Sequence, residues 1–327
     1  MRCSIALLVI FSTLLGPVGC SSDDPTEAPD PDPLLAEYVI NGPEDLFPEG
    51  IAFDARTRRF FVGSLTSGEI TAIAADGTQS VFYPAPAGGE GSSAGLDVDL
   101  SRRRLVACAS DGPAAGSQVW FIDLDSGQRL GAVDLADAFA GATCNDLALD
   151  SAGRAFVTDS KNPNLYLAEL GAGASLWATG GLLDPSKGEL PILGLNGIAV
   201  SPDDSTVIAT KYHPARLIAL PMENPEAMSD VTLTGDPYPG SAIAGADGML
   251  FLEQDLFVVF AGAVKQVRFS SGFSAGEVKT IPAPITTGLS TGVAAEGQLF
   301  AVKSEVVHFS LKTPPELPYK ILRIDLN

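Results

Sequence analysis

One short pattern recurs six times along this chain and leaves few folds open. A polar or small residue is followed by Gly or Asp and then by mostly apolar residues. The copies are Glu49-Gly50-Ile51-Ala52-Phe53, Ala94-Gly95-Leu96-Asp97-Val98, Asn145-Asp146-Leu147-Ala148-Leu149, Asn196-Gly197-Ile198-Ala199-Val200, Asp247-Gly248-Met249-Leu250-Phe251 and Thr291-Gly292-Val293-Ala294-Ala295. Their second residues fall at 50, 95, 146, 197, 248 and 292, a spacing of 44 to 51 residues. A period of this length is that of a four-stranded propeller blade. The copies lead into turn residues, as in Asp54-Ala55-Arg56-Thr57 and Ser201-Pro202-Asp203-Asp204. A second apolar run follows each copy: 59–63, 104–109, 155–158, 206–210, 256–260 and 299–303. Third runs are read at 69–74, 119–124, 165–170, 217–221 and 264–269.

Six such units use nearly all of the 327 residues, so the expectation is an all-β, six-bladed propeller over 34–327. The 34 Gly and 24 Pro suit many strands joined by tight turns. A closed ring leaves no raw sheet edge at its seam. Glu37–Ile40 and Lys320–Leu326 are the candidates to share the last blade and fasten the termini together.

Residues 1–20 read as targeting sequence. Arg2 gives a basic start, Ile5 to Leu15 form an apolar run too short to span a bilayer, and Pro17-Val18-Gly19-Cys20 resembles a bacterial lipobox with Cys20 as the lipidated residue. Pro17 stands where such motifs usually carry Leu. Residues 21–33 are acidic and Pro-rich with almost nothing to pack, which describes a disordered tether. The expectation is an exported bacterial lipoprotein of the outer membrane, cell surface or periplasm, touching membrane through its lipid alone. Only Cys108 and Cys144 remain in the folded body; pairing and two buried thiols both fit the sequence. The formal net charge of −20 repels phosphate backbones, which excludes nucleic acid as a natural partner.

In a propeller the innermost strand of each blade lines the central axis. The first residue of each repeat then faces one end of the channel: Glu49, Ala94, Asn145, Asn196, Asp247 and Thr291. Four of these are carboxylates or carboxamides, which suit a hard, oxygen-loving ion such as calcium. The chain has two histidines, His213 and His308, at non-equivalent repeat positions, so a His-rich zinc site is not expected. The competing reading is that these residues cap turns at strand entries.

These repeat cores resemble the senescence-marker-protein/gluconolactonase family, which includes regucalcin-like lactonases and, more distantly, diisopropylfluorophosphatase. The resemblance spans roughly residues 45–305. Pro48-Glu49-Gly50 looks like the family's metal-binding Glu. Asn145-Asp146 with Asp150-Ser151-Ala152-Gly153-Arg154 resembles its third-blade segment. Asn196-Gly197-Ile198 resembles its fourth-blade ligand, and Asp247-Gly248-Met249 its fifth-blade ligand and general base. Sugar-lactone members carry Arg two residues before the third-blade Asn; Thr143 stands there, so that substrate class does not carry over.

The resemblance implies a calcium-dependent hydrolase of lactone, ester or phosphotriester type acting on a small molecule, and the chain is expected to be a monomer. Glu49, Asn196 and Asp247 would hold the ion, Asn145 would ligate it or touch substrate, and Asp247 would take a proton from water. The alternatives are a non-catalytic binding propeller with a structural ion, and a metal-free propeller of strictosidine-synthase or NHL type. Loops after the second strands border the same end, and Lys161, Lys211, Tyr212, His213 and Lys303 are the candidate substrate contacts; each is also readable as a solvated loop residue. The run Arg102-Arg103-Arg104 reads as a solvated turn. No Gly-x-Ser-x-Gly elbow or phosphate-binding Gly-Lys-Ser/Thr loop is present.

Overall fold

A computed structural model describes residues 32–112, 114–184, 194–212, 216–235, 245–270 and 272–326. Leu34–Asn327 forms one compact unit. Cys20, the export signal, almost all of the tether and His213 lie outside the described residues.

The unit is a six-bladed β-propeller. The first blade is β2 (Ile51–Asp54), β3 (Arg59–Gly63), β4 (Ile70–Ala74) and β5 (Gln79–Tyr83). The second is β6 (Ser92–Asp99), β7 (Arg104–Ser110), β8 (Gln118–Asp123) and β9 (Arg129–Asp134). The third is β10 (Leu147–Leu149), β11 (Ala155–Thr158), β12 (Asn164–Glu169) and β13 (Gly173–Thr179). The fourth is β14 (Leu195–Val200), β15 (Thr206–Lys211), β16 (Arg216–Pro221) and β17 (Ser229–Asp230). The fifth is β19 (Met249–Leu252), β20 (Asp255–Phe260), β21 (Ala263–Phe269) and β22 (Ala275–Pro282). The chain leaving β17 adds a strand the repeat did not announce: β18 (Thr232–Gly235) pairs in parallel with β22 on the outer edge of the fifth blade.

The sixth blade closes the ring as the repeat pattern requires. β23 (Leu289–Ala295), β24 (Gln298–Lys303) and β25 (Tyr319–Ile324) are completed by β1 (Glu37–Ile40), which pairs antiparallel with β25. The Tyr38 ring packs 5.2 Å from Phe60 of the first blade, and its hydroxyl donates to Ala75 O. A strand from the N-terminal end of the unit thus sits between first and last blades and locks them.

The middle strands read as unbroken apolar runs because both of their faces are buried. Successive side chains point to opposite neighbours. Phe60 packs toward the sixth blade while Phe61 packs toward the second; Trp120 faces the first blade while Phe121 faces the third. Six apolar clusters result, one at each blade-to-blade interface.

Of the Arg102–Arg104 run only Arg102 stands exposed, so the run is not a solvated turn as a whole. Arg103 forks onto Asp54 of the first blade at 2.8 Å through both nitrogens, and Arg104 is buried against Asp99 and donates to Gly153 O of the third blade. The propeller brings consecutive turns side by side, which a linear reading of the run does not reveal. Cys108 and Cys144 form a disulfide joining the second and third blades.

Candidate functional site

The first repeat residues converge at the channel end away from the Arg-rich turns. Their backbones are fixed before any ligand is considered. The Glu49 carbonyl accepts from Ser290 Oγ at 3.2 Å, the Asn145 carbonyl from Gly95 N at 3.1 Å, the Asn196 carbonyl from Thr158 Oγ1 at 2.6 Å, and the Asp247 carbonyl from Gly197 N at 3.1 Å. Each main-chain acceptor is therefore used by an adjacent blade, and only the side chains are left facing the lumen. This close contact explains the glycine in the second repeat position. A Cβ on Gly50 would lie 1.9 Å from Ala94 O, and one on Gly197 would lie 2.1 Å from Asp247 O.

Glu49, Asn145, Asn196, Asp247 and Thr291 enclose a small void together with Asp146. Its free volume of about 10 Å³ is room for roughly one water or one ion. Burial pushes the Glu49 carboxyl well above the usual carboxylate range. Burial also raises Asp247, reinforced by the charges of Glu49 and Asp146 and opposed by a hydrogen bond from Asn196. Asn145 Oδ1 is buried and has no donor among the described residues. Unpaired buried acceptors and crowded carboxylates are costly. A hard cation would satisfy them all, and two carboxylates with two carboxamides are a suitable oxygen set for one. No three His, Cys, Asp or Glu side chains among the described residues are arranged to hold a metal by themselves, so such a cation would depend on the amides as much as on the acids.

Asp146 was not foreseen as a lumen residue. It occupies the position that is Gly in the other five repeats, and that departure is the signal that could have exposed it. Its carboxylate accepts from its neighbour Leu147 N and from Ile198 N of the next blade, while burial pushes it up to about 8. Asp97 does the same one blade earlier, accepting from Val98 N and Leu149 N, and is pushed up to about 6 by burial. These two acids staple neighbouring inner strands together. Both also line a second chamber of about 280 Å³ in the other half of the channel, walled by Phe53, Leu149 and Phe251 among others.

The rim candidates separate. Burial raises the Tyr212 phenol, and so does the charge of Asp247; its ring packs closely on Gly245. Lys161 is exposed. Lys211 and Lys303 do not stand free on the rim. Lys211 is buried, with its ammonium on the carbonyls of Leu182 and Asp184, the partners a desolvated cation needs. Lys303 contacts Glu305 at 2.8 Å and the carbonyls of Glu316 and Pro318. Thr143 is also committed: its N and Oγ1 donate to Asp159, which further accepts from Asn162 and Tyr166.

The profile of the SMP-30/gluconolactonase/LRE-like region matches residues 47–305, the span holding all four donors. The chain belongs to this family. No curated protein sequence matches this family member significantly. Among solved structures, the major allergen Mala s 1 of Malassezia sympodialis superposes with TM-score 0.68 at 17% identity, covering 89% of this chain and 96% of that one. A gluconolactonase from Xanthomonas campestris gives TM-score 0.58 at 18% identity, with coverage of 90% and 96%. A calcium-binding protein, regucalcin, from Agrobacterium tumefaciens gives 0.59 at 16%, with coverage of 89% and 95%. At these identities the likeness establishes a shared fold alone.

Proposed function

We propose that this family member is a divalent-cation-dependent hydrolase of small lactones or esters, with calcium as the cation and phosphotriesters as a neighbouring substrate class. The observation that carries the reading is the donor ring. Four oxygen-bearing side chains have their own carbonyls tied to adjacent blades, and they surround a one-ion void with an unpartnered amide oxygen. The similarity to a gluconolactonase and to a regucalcin described as calcium-binding supports the same reading.

Glu49, Asn145, Asn196 and Asp247 would hold the ion. Bound calcium supplies Lewis-acid polarisation of an ester carbonyl or phosphoryl oxygen. Asp247 accepts the proton of the attacking water and returns it to the departing alkoxide. Asn196, which already donates to Asp247, keeps that carboxylate oriented. The Tyr212 phenol, which feels the charge of Asp247, is the candidate rim contact for substrate. The guanidinium that grips sugar lactones is replaced by Thr143, which is bound to Asp159, so the substrates are expected to lack that dependence. We place the protein outside the cytoplasm as a monomeric lipoprotein anchored through Cys20, a reading with which the Cys108–Cys144 disulfide agrees.

The same Thr143 observation favours one second reading, a binding propeller with a structural ion and no turnover. Calcium titration by calorimetry, combined with a lactone and aryl-ester screen on wild type and Asp247→Asn, separates them. Calcium binding with hydrolysis that is lost in Asp247→Asn supports the enzyme. Calcium binding without turnover of any member supports the binding protein. No affinity for any divalent ion removes both.

A further inference from the structure

The third-blade donor is held differently from the fourth-blade donor. Asn196 lies within β14, at a register irregularity flanked by the Leu195–Lys211 and Ile198–Ala209 pairs, whereas Asn145 precedes β10, a strand of three residues that begins at Leu147. The chain leading to it passes through an exposed turn around Phe139 and Gly141. What fixes Asn145 is a cluster of local ties. Its N donates to Thr158 O at 3.0 Å, its carbonyl accepts from Gly95 N, and Thr143 is bound to Asp159. Between Thr143 and Asn145 stands Cys144, bonded to Cys108. Cys108 lies inside β7 and is 1% exposed, packed in the apolar cluster between the second and third blades. The covalent link therefore ties the residue next to Asn145 to one of the most deeply buried strands of the neighbouring blade.

We infer that the Cys108–Cys144 disulfide is a positioning cross-link for Asn145, holding its free Oδ1 at the lumen so that cation affinity is higher in the oxidised protein than in the reduced one. The inference rests on the cation reading for its consequence, and on the backbone ties alone for its mechanism. The cross-link touches no substrate; it acts through Asn145. An exported protein would gain its full affinity only after oxidation of the two thiols.

The consequence is read by calcium calorimetry on the full folded chain. Cys108→Ala/Cys144→Ala should bind calcium about tenfold more weakly or worse, the size of effect seen when support for a metal ligand is removed. The loss should be largely absent in an Asn145→Ala background but retained in an Asn196→Ala background, a pattern that general loosening of the fold does not produce. If the double cysteine variant fails to fold, the folded wild type kept reduced by excess reductant, without alkylation of the buried Cys108, gives the same comparison. Unchanged affinity, or equal losses in both backgrounds, overturns the inference. The mechanism is read separately by amide hydrogen exchange in calcium-free protein. Exchange at Asn145 and Gly95 should accelerate when the disulfide is absent, while Asp247, whose N donates to Val259 O in the fifth blade, stays unchanged. Accelerated exchange in a protein that binds no divalent ion would sink the cation reading and leave the cross-link's positioning role standing. Unchanged exchange would end the positioning role itself.

Discussion

The two ends of the channel use acidic residues in opposite ways. At the turn end, carboxylates meet guanidinium groups of their own or the next blade. Arg103 forks onto Asp54 and reaches Asp125, Arg104 ties Asp99 to Gly153 O, Arg58 reaches Glu296, and Ser151 N donates to Asp204. These contacts join the sixth, first, second, third and fourth blades in succession. Burial pushes Asp54 up, but hydrogen bonds from Arg103, Thr57 and Arg56 outweigh it and hold the carboxyl far below the usual range. At the lumen end, burial raises Glu49, Asp146 and Asp247, and the charge of Glu49 raises the latter two further; no basic side chain among the described residues offsets this. The difference separates acids paired by the fold at one end from acids at the other end that the proposed cation would complete.

The strongest break in that comparison is a change at the acid ring. Asp247→Ala should abolish calcium-dependent stabilisation and lower any hydrolysis by about a hundredfold or more, the usual worth of a proton acceptor. Thermal melting with and without calcium reads the first effect, since a ligand that binds only the folded state raises its stability by mass action. The turn end should answer in the other currency. Arg103→Ala leaves Asp54 fully buried and without its fork, at a cost of about 2 kcal/mol in denaturant unfolding. Calcium affinity should stay unchanged in that variant. A large loss of affinity would show that the two ends are not separable.

Much of this division was open to a reading of the chain, and the rest was not, for physical reasons. The blade count and the seam followed from the period, because one supersecondary unit repeats and each copy must bury both faces of its middle strands. The donor positions followed from the same register, since Glu49, Asn145, Asn196 and Asp247 occupy one repeat position. Asp146 was hidden by that alignment, which treated its position as a glycine slot. Arg103 and Arg104 were hidden because their partners lie about 50 residues away, on turns that only ring geometry brings together. Lys211 and Lys303 read as loop residues in the sequence but end β15 and β24, where backbone carbonyls of Leu182, Asp184 and Glu316 converge on them, a long-range arrangement that local sequence does not show.

A pH series sharpens the comparison at smaller amplitude. The turn-end acids have depressed values, so the stability they supply is complete above the ordinary carboxylate range and is lost as pH falls below about 4. The lumen acids have raised values, so without calcium they penalise the folded state as pH rises through the range from about 4 to 7. Calcium should remove that penalty at neutral pH and do little below about pH 5, where the ring is protonated and cannot hold it. A calcium-induced melting shift that is as large at pH 5 as at pH 8 would contradict the assignment of the ring.

The smallest expected effect isolates one staple. Asp97 accepts two backbone N–H groups from adjacent blades, which favours its charged form, yet burial dominates and pushes it up to about 6. Asp97→Asn keeps the shape but offers one acceptor where there were two, and it removes the buried charge. The lost hydrogen bond and the relieved desolvation oppose each other, so the net change at neutral pH should stay within about 1 kcal/mol. The slope should change more than the level. Between about pH 4 and 6 the wild type loses stability as Asp97 ionises, and the variant should show a flatter profile there. A variant that is markedly less stable at every pH would mean that the two-armed bridge across the second and third blades matters more than the cost of its charge, and the channel wall would then depend on its acids for cohesion at both ends.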